Sequence, residues 1–187
     1  VVETAVDAFR KMGAQVDVVE HVFDDPWSTL ASFKRGLTAY AFRHIPASRY
    51  PEMDPALVAE IEESKDAGLE EHLTAQMERA ALARRTADLH RTYDLLVTPT
   101  LATPPFEVGR NAPEGYTGRS WYGFTFPFNL TRQPAASVPC GFTQGGLPIG
   151  MQIVGPARND LVVLQAARAF ERENPWPLTA PIATRND

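Results

Sequence analysis

The alternation of apolar and polar residues predicts a β-hairpin in the last third of the chain. Residues 137–142 and 149–154 each alternate apolar side chains with small or polar ones, which is the two-residue period of a half-buried strand. Gln144-Gly145-Gly146 separates the two runs, and a Gly-rich segment of this length is typical of a hairpin turn. Because Pro139 has no backbone N–H, we expect an edge or a bulge in the first strand.

Apolar residues three and four positions apart predict helices in five segments. The first is closed by Gly13, and Asp25-Pro26 and Asp54-Pro55 begin the second and third, because Asp caps a helix and Pro fits its first position. Pro46 ends the second helix, and the fourth runs towards Arg91. The predicted inward faces are Val2, Ala5, Val6 and Phe9; Leu30, Phe33, Leu37, Tyr40 and Ala41; Leu57, Val58 and Ile61; Leu69, Leu73, Met77, Ala80 and Ala81; and Val163, Ala166, Ala167 and Phe170.

Two further strands are predicted outside the hairpin. Residues 15–19 place Val16 and Val18 on one face, so a helix, a glycine and a strand follow one another as in half of an α/β unit. Residues 94–98 contain a continuous apolar run, which predicts a strand covered on both faces. A Pro- and Gly-rich loop is expected over 99–119, and loops at the ends of buried strands often contact substrate.

Composition excludes several classes of function. The 187 residues suit one domain with a sizeable core, and the net charge of -5 gives no general attraction to nucleic acid. No apolar run is long enough for a transmembrane helix, and no signal peptide opens the chain. The single cysteine, Cys140, rules out an intrachain disulfide and suits a reducing compartment, so we expect a cytoplasmic protein without nucleic-acid or membrane partners.

Five motifs lie in and around the hairpin. They are Tyr93-Asp94-Leu95-Leu96-Val97-Thr98-Pro99-Thr100, Asn129-Leu130-Thr131, Gln133-Pro134-Ala135, Ser137-Val138-Pro139-Cys140-Gly141 and Gly146-Leu147-Pro148-Ile149-Gly150-Met151-Gln152. Together they resemble the C-terminal portion of the amidase signature family, whose members hydrolyse or transfer carboxamide groups. The resemblance is dense from Tyr93 to Trp176. One departure is Arg132, where the family usually has a small residue, often Gly.

This resemblance implies an α/β fold, a mixed β-sheet flanked by helices. It also implies hydrolysis by a serine that forms an acyl-enzyme, aided by a second serine and a lysine, with no metal or organic cofactor. The family's Gly/Ser-rich catalytic run does not occur here, so we expect the nucleophile upstream of this chain and no catalytic residue within it. Residues 1–187 are then the C-terminal portion of a single amidase domain, mostly helical over 1–92, with strands, loop, hairpin and helix over 93–176.

Residues that could carry such chemistry within the chain have simpler interpretations. None of the six serines or three lysines lies in a nucleophile-elbow or Ser-x-x-Lys pattern, and the lysines fall in helical segments as solvated side chains. Cys140 lies within a strand and is interpreted as a buried small hydrophobe. The histidines have no metal-ligand spacing, so no metal site is predicted.

The substrate-facing candidates lie in the loop after residue 99 and in the aromatic segment 121–128. The aromatic side chains are consistent with an apolar substrate pocket, with core, or with an interface. Asn129 and Thr131 are consistent with a pocket edge, and Asn129 equally with a buried turn-former that satisfies backbone groups. Thr103 is a weaker candidate. The predicted substrate-binding residues are Thr100, Trp121, Tyr122, Phe124, Phe126, Asn129 and Thr131.

The predicted function is hydrolysis of carboxylic amides by the protein of which this chain is part, with a small-molecule amide as substrate. The alternatives are the A subunit of a tRNA-dependent amidotransferase and a non-catalytic binding domain. The aromatic run before Asn129 resembles stand-alone amidases, and the acidic balance does not favour tRNA. The expected partner is the N-terminal half of the same protein, and without it the chain is expected to expose an apolar surface and to associate. The sequence does not determine whether the protein forms a homo-oligomer.

Overall fold

A computed structural model describes residues 1–110, 112–116 and 120–176. Contacts group the chain into two compact units. The sheet unit comprises Val1–Val18, Asp94–Phe124 and Pro134–Asp187, and the helical unit comprises Val19–Tyr93 and Thr125–Gln133. The elements are α1 (Val2–Lys11), α2 (Trp27–Phe42), α3 (Pro55–Ser64), α4 (Leu69–Leu89), β1 (Leu96–Pro99), α5 (Phe126–Thr131), β2 (Ala135–Phe142), β3 (Pro148–Val154) and α6 (Asp160–Glu173), with short 3-10 helices at Ala47–Glu52 and Ser120–Tyr122.

The predicted hairpin forms the larger part of a three-stranded sheet of order β1-β3-β2. All pairs are antiparallel, with Thr98 opposite Gln152 and Ser137 opposite the same residue on the other side. The register of β2 shifts between Pro139 and Gly141. Pro139 led us to expect an edge strand or a bulge. Both are present, because the register shift is a bulge and β2 lies at the edge of the sheet formed by the described strands.

The hairpin turn is closed by one threonine. The Thr143 backbone N–H donates to the Leu147 carbonyl at 2.8 Å, and the Leu147 N–H donates to Thr143 Oγ1 at 3.0 Å. Gly146 has a φ of 80° in this turn, a conformation that an L side chain rarely adopts. The Gly-rich sequence is therefore required by the backbone path.

The core of the sheet unit lies between the sheet and two helices. Met151 and Ile153 of β3 are fully buried, and the rings of Phe9 in α1 and Phe170 in α6 stack with centroids 5.6 Å apart. The predicted inward faces of α1 and α6 are confirmed. Gly13 ends α1 at a φ of 93°, while the Ala14 N–H donates to the Phe9 carbonyl, so the predicted C-terminal glycine closes a Schellman motif.

The strand predicted over 15–19 does not form. These residues have no regular structure, and Val18 is 86% exposed although Val16 packs against the core. A strand is stable only when its N–H and C=O groups are paired, and no described strand pairs with this segment. The alternation of two valines was too short a pattern to predict a ladder.

The second predicted strand forms as β1, but it is not completely covered on both faces. All four of its residues are only partly buried, and β1 is an edge strand among the strands described. Leu95 and Val97 pack against the core. Leu96 and Thr98 on the other face are also partly buried, so the described residues show partial and not complete cover of the two faces.

The caps of the helical unit follow the prediction more closely than its buried faces. Asp54 Oδ1 accepts hydrogen bonds from the Ala56 and Leu57 N–H groups at the start of α3, and Asp25 Oδ1 accepts from Trp27 N–H at the start of α2. The second helix ends at Phe42, before Pro46, and the fourth at Leu89. Buried positions in α2 and α4 are Thr29, Thr38, Ala75, Leu82 and Thr86, whereas the predicted Leu37, Tyr40, Leu69, Leu73 and Met77 are exposed.

The short helix α5 explains both the aromatic segment and Arg132. Phe126 and Phe128 are buried, with edge-to-face contacts to Trp27 at 5.8 Å and to Phe23 at 6.1 Å. Arg132 follows the helix with a φ of 59°, the left-handed conformation that glycine adopts without strain. The family's small residue at this position is therefore explained by the backbone.

Candidate functional site

A cleft of about 530 Å³ lies in the sheet unit, beside the loop that follows β1. Its walls combine proline rings with one aromatic ring and a few hydroxyl groups. Such a mainly apolar cleft with few polar groups is typical of a small-molecule site. It is lined by Pro99, Thr100, Leu101, Ala102, Thr103, Pro104, Pro105, Phe124, Ser137, Pro139, Pro148, Ile149 and Gly150.

Two hydroxyl groups meet in this cleft. Thr100 Oγ1 and Ser137 Oγ lie 2.7 Å apart and share a hydrogen bond. A Cβ built on Gly150 would lie 2.8 Å from Thr100 Oγ1 and 2.9 Å from Ser137 Oγ, so only glycine leaves room for the pair. The Thr100 N–H also donates to the Gly150 carbonyl at 3.0 Å. The sheet thus fixes two of the three hydroxyl groups of the cleft, the third being that of Thr103, and the rest of the lining is apolar.

A buried glutamine fixes the aromatic wall of the cleft. Gln152 of β3 is 4% exposed, and its Nε2 donates to the Phe124 carbonyl at 2.7 Å and to Thr98 Oγ1 at 2.9 Å. Phe124 lies in a turn outside the sheet. The hydrogen bond from Gln152 connects its backbone to the central strand. A buried amide that finds two acceptors stabilises the arrangement by about 1 kcal/mol for each bond.

The first aromatic residues of the segment 121–128 brace the loop after β1. The Ala102 N–H donates to the Trp121 carbonyl at 3.0 Å, and the Trp121 ring contacts Phe106 edge-to-face at 5.3 Å. Tyr122 packs against Trp121 in the same way at 5.1 Å, and Tyr116 Oη donates to the Ala102 carbonyl. These contacts hold residues 101–106 as an ordered wall.

The seven predicted substrate-binding residues fall into three groups. Thr100 and Phe124 line the cleft, as does the weaker candidate Thr103. Trp121 and Tyr122 brace its loop from within the sheet unit. Phe126, Asn129 and Thr131 belong to the helical unit, where Phe126 and Thr131 are buried and Asn129 is exposed.

The interpretation of Asn129 as a buried turn-former is therefore wrong, because the residue lies on the solvent side of α5. Thr131 has a structural partner instead, since its Oγ1 donates to Gln133 Oε1 at 2.9 Å. Sequence reasoning also missed Ser137 and Gln152. A signal for Gln152 was present, since it is the one amide side chain within the apolar run of β3.

The cleft offers hydroxyl groups but no base. None of its lining residues carries a titratable side chain, and no cluster of three potential metal ligands occurs in the described parts of the chain. The arrangement is suited to binding an uncharged group and donating a hydrogen bond to it. Proton transfer would require residues other than those that line it.

Cys140 is not an activated nucleophile. Its side chain packs against the sheet-unit core, and burial raises the pKa of the thiol above its ordinary value. A raised pKa leaves less thiolate at neutral pH, and the thiolate is the nucleophilic form. The sequence predicts Cys140 to be a buried small hydrophobe. It does pack against the core, but it is only partly buried.

Comparison with known proteins places these features in a family. A family model described as Amidase matches residues 1–164, so the chain belongs to the amidase family. Its α/β fold and its resemblance to the amidase signature enzymes are thereby confirmed. Members of this family are generally hydrolases of C–N bonds.

Individual relatives include more than one kind of amidase-family protein. An acylamidase of Rhodococcus erythropolis is 43% identical over 91 residues, which are 45% of this chain and 19% of that protein. The A subunit of the glutamyl-tRNA(Gln) amidotransferase of Thermodesulfovibrio yellowstonii is 34% identical over 108 residues, 58% of this chain and 22% of the relative. A bacterial aryl acylamidase structure matches with a TM-score of 0.75 at 28% identity, covering 94% of this chain and 40% of the other.

The matched part of the chain thus spans about a fifth of the length of these curated relatives. Among the described residues, no helix is both long enough and apolar enough to cross a bilayer.

Proposed function

We propose that this chain forms the substrate-facing wall of an amidase that hydrolyses uncharged carboxylic amides. The observation that carries this proposal is the cleft in the sheet unit, whose lining is apolar except for hydroxyl groups and lacks titratable side chains. An ionised group placed there would lose hydration without finding a counter-charge. An uncharged acyl or amine portion of an amide avoids this cost and gains from contact with the prolines and Phe124.

The serine nucleophile and its lysine base lie upstream of this chain in our proposal. Amide hydrolysis needs a nucleophile, a base and donors that stabilise the oxyanion. The cleft supplies Thr100 and Ser137 as hydroxyl groups, and burial, which raises the pKa of the Cys140 thiol, disfavours its nucleophilic thiolate. Membership of the amidase family supports the serine acyl-enzyme route, and the route that we propose uses no metal or organic cofactor.

The A subunit of an amidotransferase is the second candidate, because relatives of this name match a longer stretch of the chain than the acylamidase does. A tRNA-dependent enzyme must accommodate an anionic nucleic acid. The net charge of -5 does not favour such a partner, and the described cleft lining contains no arginine or lysine. Both features favour a small-molecule amidase.

The decisive experiment compares this chain alone with the protein extended upstream through its open reading frame. Hydrolysis of a panel of aliphatic and aromatic amides is measured for both, together with ammonia release in the presence of tRNA. We expect hydrolysis by the extended protein only, without dependence on tRNA. Hydrolysis by this chain alone would overturn the assignment of the nucleophile, and inactivity of the extended protein on every amide would favour a non-catalytic binding domain.

A matched pair of variants tests the role of the cleft in the extended protein. Ser137→Ala and Thr100→Val each remove one hydroxyl of the pair, and we expect KM for the preferred amide to rise about three- to tenfold, as for loss of one hydrogen bond. Ser32→Ala in the helical unit removes a hydroxyl outside the cleft and should leave KM unchanged. Unchanged KM in both cleft variants would contradict the proposed site.

A further inference from the structure

We propose that Gln152 is a positioning residue that holds the two walls of the cleft at the spacing required for a ring-bearing amide. This inference rests on the proposed function and deepens it by assigning a residue to substrate selectivity. Gln152 does not line the cleft, so it acts through the residues that do. Its hydrogen bonds, and not contact with the substrate, set the spacing of the walls.

The position of Gln152 is unusual for its chemistry. It lies in the central strand of the sheet, between Met151 and Ile153, which are both fully buried. A primary amide is expensive to bury unless its donors are satisfied. Both hydrogens of Nε2 have an acceptor, namely the Phe124 carbonyl at 2.7 Å and Thr98 Oγ1 at 2.9 Å.

One of these hydrogen bonds reaches the aromatic wall directly. Phe124 is 28 residues away in sequence and lies in the turn between the 3-10 helix Ser120–Tyr122 and α5. The side chain of Phe124 is partly exposed and lines the cleft. Fixing the carbonyl of this residue therefore restricts the positions that its ring can take.

The other hydrogen bond reaches the proline wall through one intermediate. Thr98 Oγ1, which accepts from Gln152, donates in turn to the Pro99 carbonyl at 2.9 Å. Pro99 lines the cleft and precedes Thr100, the first member of the hydroxyl pair. A single buried amide is thus connected to both walls, and a change in it should alter their spacing while leaving the hydroxyl pair in place.

Methionine is the informative replacement, since it has nearly the shape of glutamine without its donors. Gln152→Met leaves the Phe124 carbonyl and Thr98 Oγ1 without their donor, while it preserves packing in the strand. Gln165→Met is the matched control, because Gln165 is exposed on α6. Thr98→Val is a second variant that removes the Gln152–Thr98 and Thr98–Pro99 hydrogen bonds and leaves the Gln152–Phe124 hydrogen bond in place.

The test measures equilibrium binding of acetanilide and acetamide by ligand-observed NMR. It uses the full-length protein with its proposed upstream serine nucleophile replaced by alanine, so that turnover does not enter. We expect Gln152→Met to raise Kd for acetanilide about three- to tenfold, the range for loss of one hydrogen bond, with Kd for acetamide changed by less than about twofold. Thr98→Val should change the ratio of the Kd for acetanilide to the Kd for acetamide by a smaller factor. Gln165→Met should leave this ratio unchanged.

Epistasis with Phe124 separates positioning from general damage to the fold. In a Phe124→Ala background the aromatic wall is absent, so adding Gln152→Met should produce no further loss of selectivity. A loss of equal size in both backgrounds, or an unchanged ratio of the two Kd values in both Gln152→Met and Thr98→Val, would overturn the inference. If the protein without these substitutions binds acetanilide no better than acetamide, the inference fails while the proposed function stands. If it binds neither amide, the proposed function of the cleft fails.

Discussion

The sheet unit and the helical unit bury different kinds of side chain. The sheet unit is built on Met151, Ile153 and Phe170, which are almost completely inaccessible to water. The interior of the helical unit includes threonines at Thr29, Thr38 and Thr86, whereas leucines and a methionine of α4 are exposed. Apolar periodicity predicted burial well in the first unit and poorly in the second.

The helical unit also has polar contacts between its helices. Arg35 Nη1 donates to both carboxylate oxygens of Glu71, at 2.9 and 3.0 Å, and Arg35 Nη2 contacts Asp66 at 2.6 Å. Thr29 Oγ1 donates to Glu78 at 2.7 Å. Small buried residues bring helices close together, and charged side chains at the margin then define their register.

The largest expected effect is in the sheet-unit core. Phe170→Ala removes a ring that stacks on Phe9, and we expect the free energy of unfolding to fall by about 3–5 kcal/mol. Leu73→Ala, on the exposed side of α4, should change it by less than about 0.5 kcal/mol. Urea titration followed by fluorescence and circular dichroism measures the free energy of unfolding of both variants. Similar losses of stability in the two variants would contradict the difference in burial between these positions of the two units.

The next effect concerns Arg35 in the helical unit. Arg35→Ala should lower the free energy of unfolding by about 1 kcal/mol, because its carboxylate contacts are only partly buried. Salt screens such contacts, so the difference from the unmodified protein should shrink in 1 M sodium chloride. The Phe170→Ala deficit should not shrink. A salt-independent Arg35→Ala deficit would indicate that the alkyl chain packs and the charges contribute little.

A smaller effect of opposite sign is expected at Arg132. Arg132→Gly relieves a left-handed backbone and should raise the free energy of unfolding by roughly 0.5–1 kcal/mol. Arg132→Ala retains the Cβ and should give no such gain. Thermal denaturation of both variants measures this difference. Equal changes in stability in the two variants would mean that loss of the arginine head group, and not the backbone conformation, causes the change.

The smallest effect is the pH dependence that Cys140 contributes. Burial raises the pKa of its thiol, so the folded chain retains the proton at pH values where the unfolded chain loses it. The stabilisation is complete below the ordinary thiol range and is lost as pH rises through the raised value. Cys140→Ala should remove this alkaline fall in stability. Iodoacetamide should label the folded thiol with a midpoint above that of a free thiol, and a lower midpoint would contradict its burial.

Local sequence signals predicted the parts of the fold that depend on neighbouring residues. Asp54 caps α3, Gly13 closes α1 and Pro139 marks a bulge because each effect is decided within a few residues. The strand expected over 15–19 failed because a strand requires a partner from elsewhere in the chain. Leu69, Leu73 and Met77 form a regular stripe, but nothing in their spacing states which side of α4 faces another helix.

Of the residues that line the cleft, the sequence predicted Thr100 and Phe124 as substrate-binding candidates. The resemblance to the amidase signature family suggested what kind of substrate they would contact. The sequence did not identify Ser137 as the partner of Thr100, 37 residues away, or Gln152 as a bridge to Thr98 and Phe124, 54 and 28 residues away. Hydrogen bonds across a sheet depend on strand order and register, which local periodicity does not specify. The amino-acid sequence thus determined the hairpin, β1, the caps and the turn of this protein. Only the tertiary structure decided that residues 15–19 form no strand and which hydroxyls and which amide meet at the cleft.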